Sequence, residues 1–236
     1  MRQLATQTCF LIASLLLVSG VSFAQTDEYK EGKHFVRLPM QFASADEGSS
    51  DKSKETIEVI EFFSYGCEHC YRFEVFIQDW LKTKASDVSF KREHVGWNSY
   101  WKTLARAFYV AEDLKLSPKI HNAMFKAIHD HGIVMNQERK LMTLFDNVED
   151  VDPDTFKEKF WSDEVEERIS DAKTKDRLWR IAAHGTPCLV VGGEYLVDVQ
   201  MVGGKKDELF PVVDFLIERI RSERNDNKAF SQETEG

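Results

Sequence analysis

IEVIEFFSYGCEHCYRFE, residues 57–74, runs from an apolar stretch directly into two cysteines separated by two residues. Thr56–Ser64 is rich in β-branched and aromatic residues, which suits a buried strand. From Cys67 the spacing changes, and Phe73, Phe76, Ile77, Trp80 and Leu81 fall on one helical face. A helix beginning near Cys67 places both sulfurs one turn apart on the same side, within the reach that a disulfide requires. It also places Cys67 at the helix N-terminus, where free N–H groups and the helix dipole favour an anion. Cys67 is then the attacking thiolate and the better leaving group, and Cys70, deeper in the helix, the resolving thiol. A protonated His69 adds positive charge beside that thiolate, whereas Glu68 acts in the opposite direction.

The N-terminus reads as an address. Arg2 precedes a short apolar core, Cys9–Val18, and Ser22-Phe23-Ala24 fits the small-x-small cleavage rule, so processing is expected after Ala24. The core is too short to span a bilayer comfortably. The processed chain is expected to be exported, with no stable membrane insertion. The net charge is −9, and loss of residues 1–24 removes one arginine and no acid. An acidic surface argues against nucleic acid or anionic membranes as partners.

Three cysteines follow the leader, Cys67, Cys70 and Cys188. A disulfide-stapled scaffold needs more of them, evenly paired. A structural bridge over so short a loop removes little chain entropy, and a zinc site normally needs four ligands. Redox exchange at Cys67 and Cys70 is the favoured reading. A CxxC metal-binding protein using Cys67, Cys70 and His69 is the alternative from another class, and a redox-inactive peptide-binding module is a third.

Farther along, His34–Leu38 suits a short edge strand and Val88–Val95 a further strand. Residues 43–55 form a Ser- and charge-rich loop. Tyr100–Leu116, Pro118–His131, Gln137–Asn147 and Asp154–His184 read as helices, with Pro118 and Pro153 near starts. Pro187–Val191, a Gly192-Gly193 turn and Tyr195–Val199 read as a hairpin. Lys205–Arg224 reads as a last amphipathic helix, followed by a polar tail. Strands flanked by helices, with one helical insertion, predict an α/β core carrying a second subdomain.

EFFSYGCEHCYRFE resembles the active-site segment of the periplasmic thiol–disulfide oxidoreductases of the DsbA type, a thioredoxin-fold family. Their motif is Cys-Pro-His-Cys, and Glu68 stands here in place of the proline. EGKHFVRL resembles the family's opening strand, FKREHV its strand after the active-site helix, and HGTPCLVVGGEYLV its cis-proline hairpin. The resemblance covers nearly all of residues 28–222 and implies a thioredoxin fold with an inserted all-helical domain. The domain expectation is a signal peptide at 1–24, thioredoxin-like parts at 25–98 and 185–224, a helical insertion at 99–184, and a disordered tail at 225–236.

DsbA itself is a standing example of a low-pKa, strongly oxidising pair, so that behaviour is what the resemblance implies. It also implies a Cys67–Cys70 disulfide donated to folding exported proteins in the Gram-negative periplasm, without an organic cofactor. A membrane quinone-linked thiol oxidase would regenerate it. By resemblance Thr186-Pro187 is the cis-proline dipeptide, and a substrate strand could pair with the backbone of Thr186. Threonine before this proline also occurs in reductases and isomerases of the same fold, which is the alternative within redox chemistry. Glu61 matches the family's buried acid; its pKa should rise on burial, letting it accept a proton from Cys70. Arg92 stands where the family has a lysine, and an Arg–Glu pair is expected to hold that acid ionised more firmly. His94 reads equally as a functional or a structural histidine. Cys188 is expected to be a buried inert thiol, with a third redox thiol as the other reading.

Overall fold

The structure, a computed structural model, describes residues 29–39 and 56–234. The expected leader and the loop at 43–55 lie outside the described residues. Five strands form one sheet: β1 (Val36–Arg37), β2 (Ile57–Phe63), β3 (Val88–His94), β4 (Cys188–Val191) and β5 (Tyr195–Asp198). Their order is β1-β5-β4-β2-β3. Only β2 and β3 run parallel; the other neighbours are antiparallel. β2 sits inside the sheet with helices over both faces, so it is buried at six of its seven positions rather than at alternate ones.

The parallel pair is joined by α1 (Glu68–Thr83), whose Phe73, Ile77 and Trp80 pack on Ile57 and Val59 of β2. α8 (Leu209–Thr234) covers the same face with Leu209, Phe210, Val213 and Leu216. Ile60 and Phe62 point the other way, into a cluster with Cys188, Val190, Trp179 and Ile181. β4 and β5 turn through Gly192 and Gly193, both at positive φ, as a tight hairpin requires.

Between β3 and β4 the chain forms α2 (Ser99–Asp113), α3 (Ser117–Phe125), a π turn at Lys126–Asp130, α4 (Glu138–Glu149), α5 (Pro153–Phe160), α6 (Asp163–Trp179) and α7 (Ile181–His184). These helices bury a core that includes Phe108, Phe125, Phe145, Phe156 and Phe160 and reaches Phe63, Tyr65 and both cysteines at the end of β2. Two sequence expectations are corrected. The single helix expected over 154–184 is three. Ser162 caps a new start by accepting from Val165 N–H, and Arg180 closes α6 in the left-handed region at φ 55°. The last helix does not end near Arg224. Residues 225–234 contain no proline or glycine, and α8 continues through them to Thr234.

Candidate redox site

The site is assembled where β2 ends and α1 begins. Cys67 is the N-cap of α1 in extended conformation, and its sulfur accepts the Cys70 N–H at 3.4 Å. A sulfur thus occupies the place usually taken by a serine or aspartate oxygen. Its pKa is lowered to about 5, first by a hydrogen bond from the Cys70 thiol. Burial opposes this shift, while the Thr186 side chain and the N–H groups of Cys70 and His69 add to it. Cys70 is fully buried, and desolvation pushes its thiol well above the ordinary value. Both are free thiols here. The two sulfurs of one turn thus differ strongly in acidity because one caps the helix and the other lies beneath it.

The neighbours of Cys67 come from three segments. Thr186-Pro187 is a cis peptide, and the Cys67 thiol donates to the Thr186 carbonyl at 3.4 Å. His69 and Glu68 are both exposed at the surface of α1. The contribution of His69 to Cys67 is its backbone N–H, and Glu68 is ion-paired with Arg72 one turn on. Gly66 packs against Trp101: a Cβ there would lie 2.6 Å from the Trp101 Nε1. Trp101 stacks on Trp97, whose indole N–H donates to Asp176 at 2.7 Å. The other oxygen of Asp176 accepts the Ala182 N–H of α7 at 2.9 Å. His184, two residues before Thr186, contacts the buried Asp198 at 2.8 Å. The segment leading into the cis-proline is therefore held by two carboxylates, at Ala182 and at His184.

Beneath the cysteines lies a charged network. Glu61 is 1 % exposed and faces α1, because it shares the β2 face of Ile57 and Val59. Desolvation raises its pKa to about 7, against the opposing pull of Arg92 and with Glu74 adding to the rise. Arg92 donates through Nε to Glu61 at 2.9 Å and through Nη2 to both oxygens of Glu74, at 2.8 and 3.1 Å. The expected Arg–Glu pair therefore forms, but it does not keep Glu61 firmly ionised. The guanidinium is shared with a second carboxylate, and burial prevails.

Tyr65, two residues before Cys67, is gripped by three histidines that sequence reasoning did not bring together. Its N–H donates to His94 Nε2 at 3.0 Å, and its carbonyl accepts from His129 Nε2 at 2.8 Å. Its hydroxyl donates to His121 Nδ1 at 3.3 Å, leaving His121 Nε2–H to donate to Glu74 at 3.1 Å. His94 is fully occupied as a neutral ring, its Nδ1–H on the Val95 carbonyl, and burial lowers its pKa to about 3. Its place is structural. Cys188 is wholly buried on β4 among apolar side chains, with its thiol pushed well up by desolvation. Among the described residues no group of three or more His, Cys, Asp or Glu side chains could hold a metal ion.

A helix-capping thiolate, a buried partner thiol and a facing cis-proline loop, on this sheet with its inserted helices, define a thiol–disulfide oxidoreductase of thioredoxin-like fold. The profile of the DSBA-like thioredoxin domain family matches residues 77–210, a span that opens inside α1 after both cysteines. A thiol:disulfide interchange protein DsbA of Azotobacter vinelandii is 34 % identical over 200 residues, covering 83 % of this chain and 86 % of that protein. The one from Pseudomonas aeruginosa is 31 % identical over 223 residues, covering 94 % and 98 %. A crystal structure of Pseudomonas aeruginosa DsbA aligns at TM-score 0.73 with 29 % identity over 85 % of this chain and 98 % of that one. DsbA from Xylella fastidiosa aligns at TM-score 0.67 with 28 % identity, covering 82 % and 98 %. This chain belongs to the DsbA-like thioredoxin domain family.

Proposed function

We propose that the chain oxidises cysteine pairs of exported proteins by donating a Cys67–Cys70 disulfide through a mixed disulfide on Cys67. A substrate thiolate attacks the Cys67 sulfur, the Cys67–Cys70 bond breaks, and Cys70 leaves with the electron pair. Because the Cys70 thiolate is strongly disfavoured by burial, it takes a proton, for which protonated Glu61 is the buried source. A second substrate thiolate then attacks the substrate sulfur of the mixed disulfide. Cys67 departs as a thiolate, and two electrons have passed from substrate to enzyme. Thr186 and Pro187 flank the attacked sulfur and offer backbone to an extended substrate.

The observation that carries this reading is the Cys67 sulfur capping α1 beside the Thr186 carbonyl, next to a fully buried Cys70, a placement that lowers the Cys67 pKa to about 5. A stabilised thiolate stabilises the reduced protein, and a disulfide whose reduced form is stabilised is an oxidant. His69 stabilises that thiolate through its backbone N–H. The N-terminal segment supports export, and the kinship with DsbA proteins supports a periplasmic reaction with a membrane quinone-linked thiol oxidase as electron acceptor. The division into a thioredoxin-like part at 25–98 and 185–224 and a helical insertion at 99–184 belongs to the same proposal. Redox titration of the pair against glutathione tests it. The expected result is a disulfide that glutathione reduces almost completely under balanced buffers; a pair that stays oxidised in excess reduced glutathione sinks the oxidase reading in favour of a reductase.

A further inference from the structure

The buried network beneath the cysteines contains two carboxylates and one guanidinium. The side chains of Glu61, Glu74 and Arg92 are 1 %, 13 % and 16 % exposed. One cation cannot compensate two buried anions, so whichever carboxylate has more donors stays charged and the other carries the titrating proton. Glu61 receives a single bond, from Arg92 Nε. Glu74 receives both bonds from Arg92 Nη2, a third from Gln78 at 2.6 Å, and a fourth from His121 at 3.1 Å. Gln78 lies on α1 with Glu74 itself, whereas His121 lies on α3. It is the donor by which the inserted helices reach this network among the described residues.

The direction of that bond is set from behind. The Tyr65 hydroxyl donates to His121 Nδ1, so the other ring nitrogen carries the hydrogen and points it at Glu74. We propose that His121 is a positioning residue for the thiol chemistry. By donating to Glu74 it keeps that carboxylate charged and fixes how Arg92 is divided between Glu74 and Glu61. The inference rests on the reading of Glu61 as the proton donor to Cys70, and it adds a residue from the helical block to that function.

The groups that bear on Glu61 come from every element around it: Arg92 on β3, Glu74 and Cys70 on α1, Cys67 at its N-cap, and Tyr65 at the turn. Cys188 approaches from β4. His121 itself meets Glu74, Tyr65, Arg92 and, from β3, His94. Removing the His121 N–H leaves Glu74 short of a donor. Glu74 then draws more on Arg92, and Glu61 becomes easier to protonate.

The experiment follows the Glu61 carboxyl directly in the intact protein, by its protonated C=O stretch in infrared difference spectra against pH, with Glu61→Gln assigning the band. His121→Phe keeps an aromatic ring against Phe63 and Phe125 and removes the donor. The Glu61 midpoint is expected to move up by about one pH unit, the order that a hydrogen-bonded neighbour exerts on a carboxyl. His121→Gln, which restores an N–H, brings it back towards the wild-type value. Glu74→Gln gives the opposite sign, because Arg92 then serves Glu61 alone and the midpoint falls; this variant carries the test if His121→Phe does not fold. An unmoved midpoint in folded His121→Phe, or a His121→Gln midpoint no closer to wild type, overturns the inference, as does a midpoint that fails to fall in Glu74→Gln. If the midpoint moves as stated while the rate of thiol exchange does not follow it, the proton-donor role of Glu61 fails and the role of His121 in setting its protonation stands.

Discussion

Replacing Cys70 by alanine removes the largest influence on the Cys67 thiolate and leaves the others in place. The Cys70 thiol is the first cause of the lowered Cys67 pKa, but the N–H groups of Cys70 and His69 and the Thr186 side chain also act on it. A hydrogen bond to a charged group contributes about 1.5–3 kcal/mol, which corresponds to roughly one to two pH units. From about 5, the midpoint in Cys70→Ala is therefore expected near pH 6–7 by that conversion. Cys70→Ser, whose hydroxyl can still donate, should shift less. Thiolate absorbance near the ultraviolet edge, followed against pH, reads the midpoint directly. Cys188 does not interfere, because its buried thiol titrates well above this window. A Cys70→Ala midpoint that stays near that of the wild type would refute the dominance of the thiol–thiolate bond. One that rises fully to the ordinary value of about 8.5 would refute any contribution from the backbone donors.

The same shift has a stability consequence whose sign is fixed. The folded pKa of Cys67 lies below the unfolded one, so its contribution to the reduced protein is complete above the unfolded value. It is lost as pH falls through about 5. At pH 7, about two units above the folded value, this is worth at most about 2.7 kcal/mol, and screening by solvent at the helix cap brings it to about 1–2 kcal/mol. Urea unfolding of the reduced protein should therefore show a margin over Cys67→Ala at pH 7 that vanishes by about pH 4.

Gly66→Ala puts a methyl group 2.6 Å from the Trp101 indole nitrogen, and a loss of about 1–3 kcal/mol is expected from overpacking; an unchanged melting temperature would show that Trp101 yields freely. Glu68→Pro removes an exposed acid already paired with Arg72, so the disulfide should become more oxidising by less than about 30 mV, the scale of a surface ion pair. A less oxidising disulfide, or a shift beyond about 60 mV, would contradict that weak coupling. Cys188→Ala should leave the glutathione titration unchanged and cost about 1–2 kcal/mol in urea unfolding, whereas mass mapping that finds Cys188 in any disulfide would refute its inertness.

Much of the fold was legible because its signals are local. The change of spacing at Cys67 marks a strand-to-helix step, and the Gly192-Gly193 pair marks the hairpin. The helix N-terminus beside Cys67 followed from the same step. The surrounding polar network was not legible. Glu74 sits on α1 beside an arginine from β3 and a histidine from α3, and no spacing in sequence announces that meeting. The reading of Arg92 failed for the same reason: with only Glu61 in view it was a pair, and with Glu74 it is a shared cation. The breaks at Ser162 and Arg180 escaped because no proline or glycine marks either of them, and what separates the helices is a cap and one left-handed residue.

The unequal burial of the two sulfurs gives the reaction a handedness along the chain. Cys70 is fully enclosed whereas Cys67 lies at the helix cap beside the Thr186 carbonyl, so an incoming protein can be tethered to one sulfur and not the other. Escape without a second client thiol needs Cys70, which strikes the tethered sulfur from inside. In Cys70→Ser the Cys67 thiolate can still attack a client disulfide, expelling one client thiolate, and that adduct should accumulate because no internal thiol releases it, whereas Cys67→Ser should accumulate none. The geometry thus supplies a chemical fishing line, with Cys67 as the hook and Cys70 as the release, by which the proteins served by this chain can be pulled out of the cell and identified.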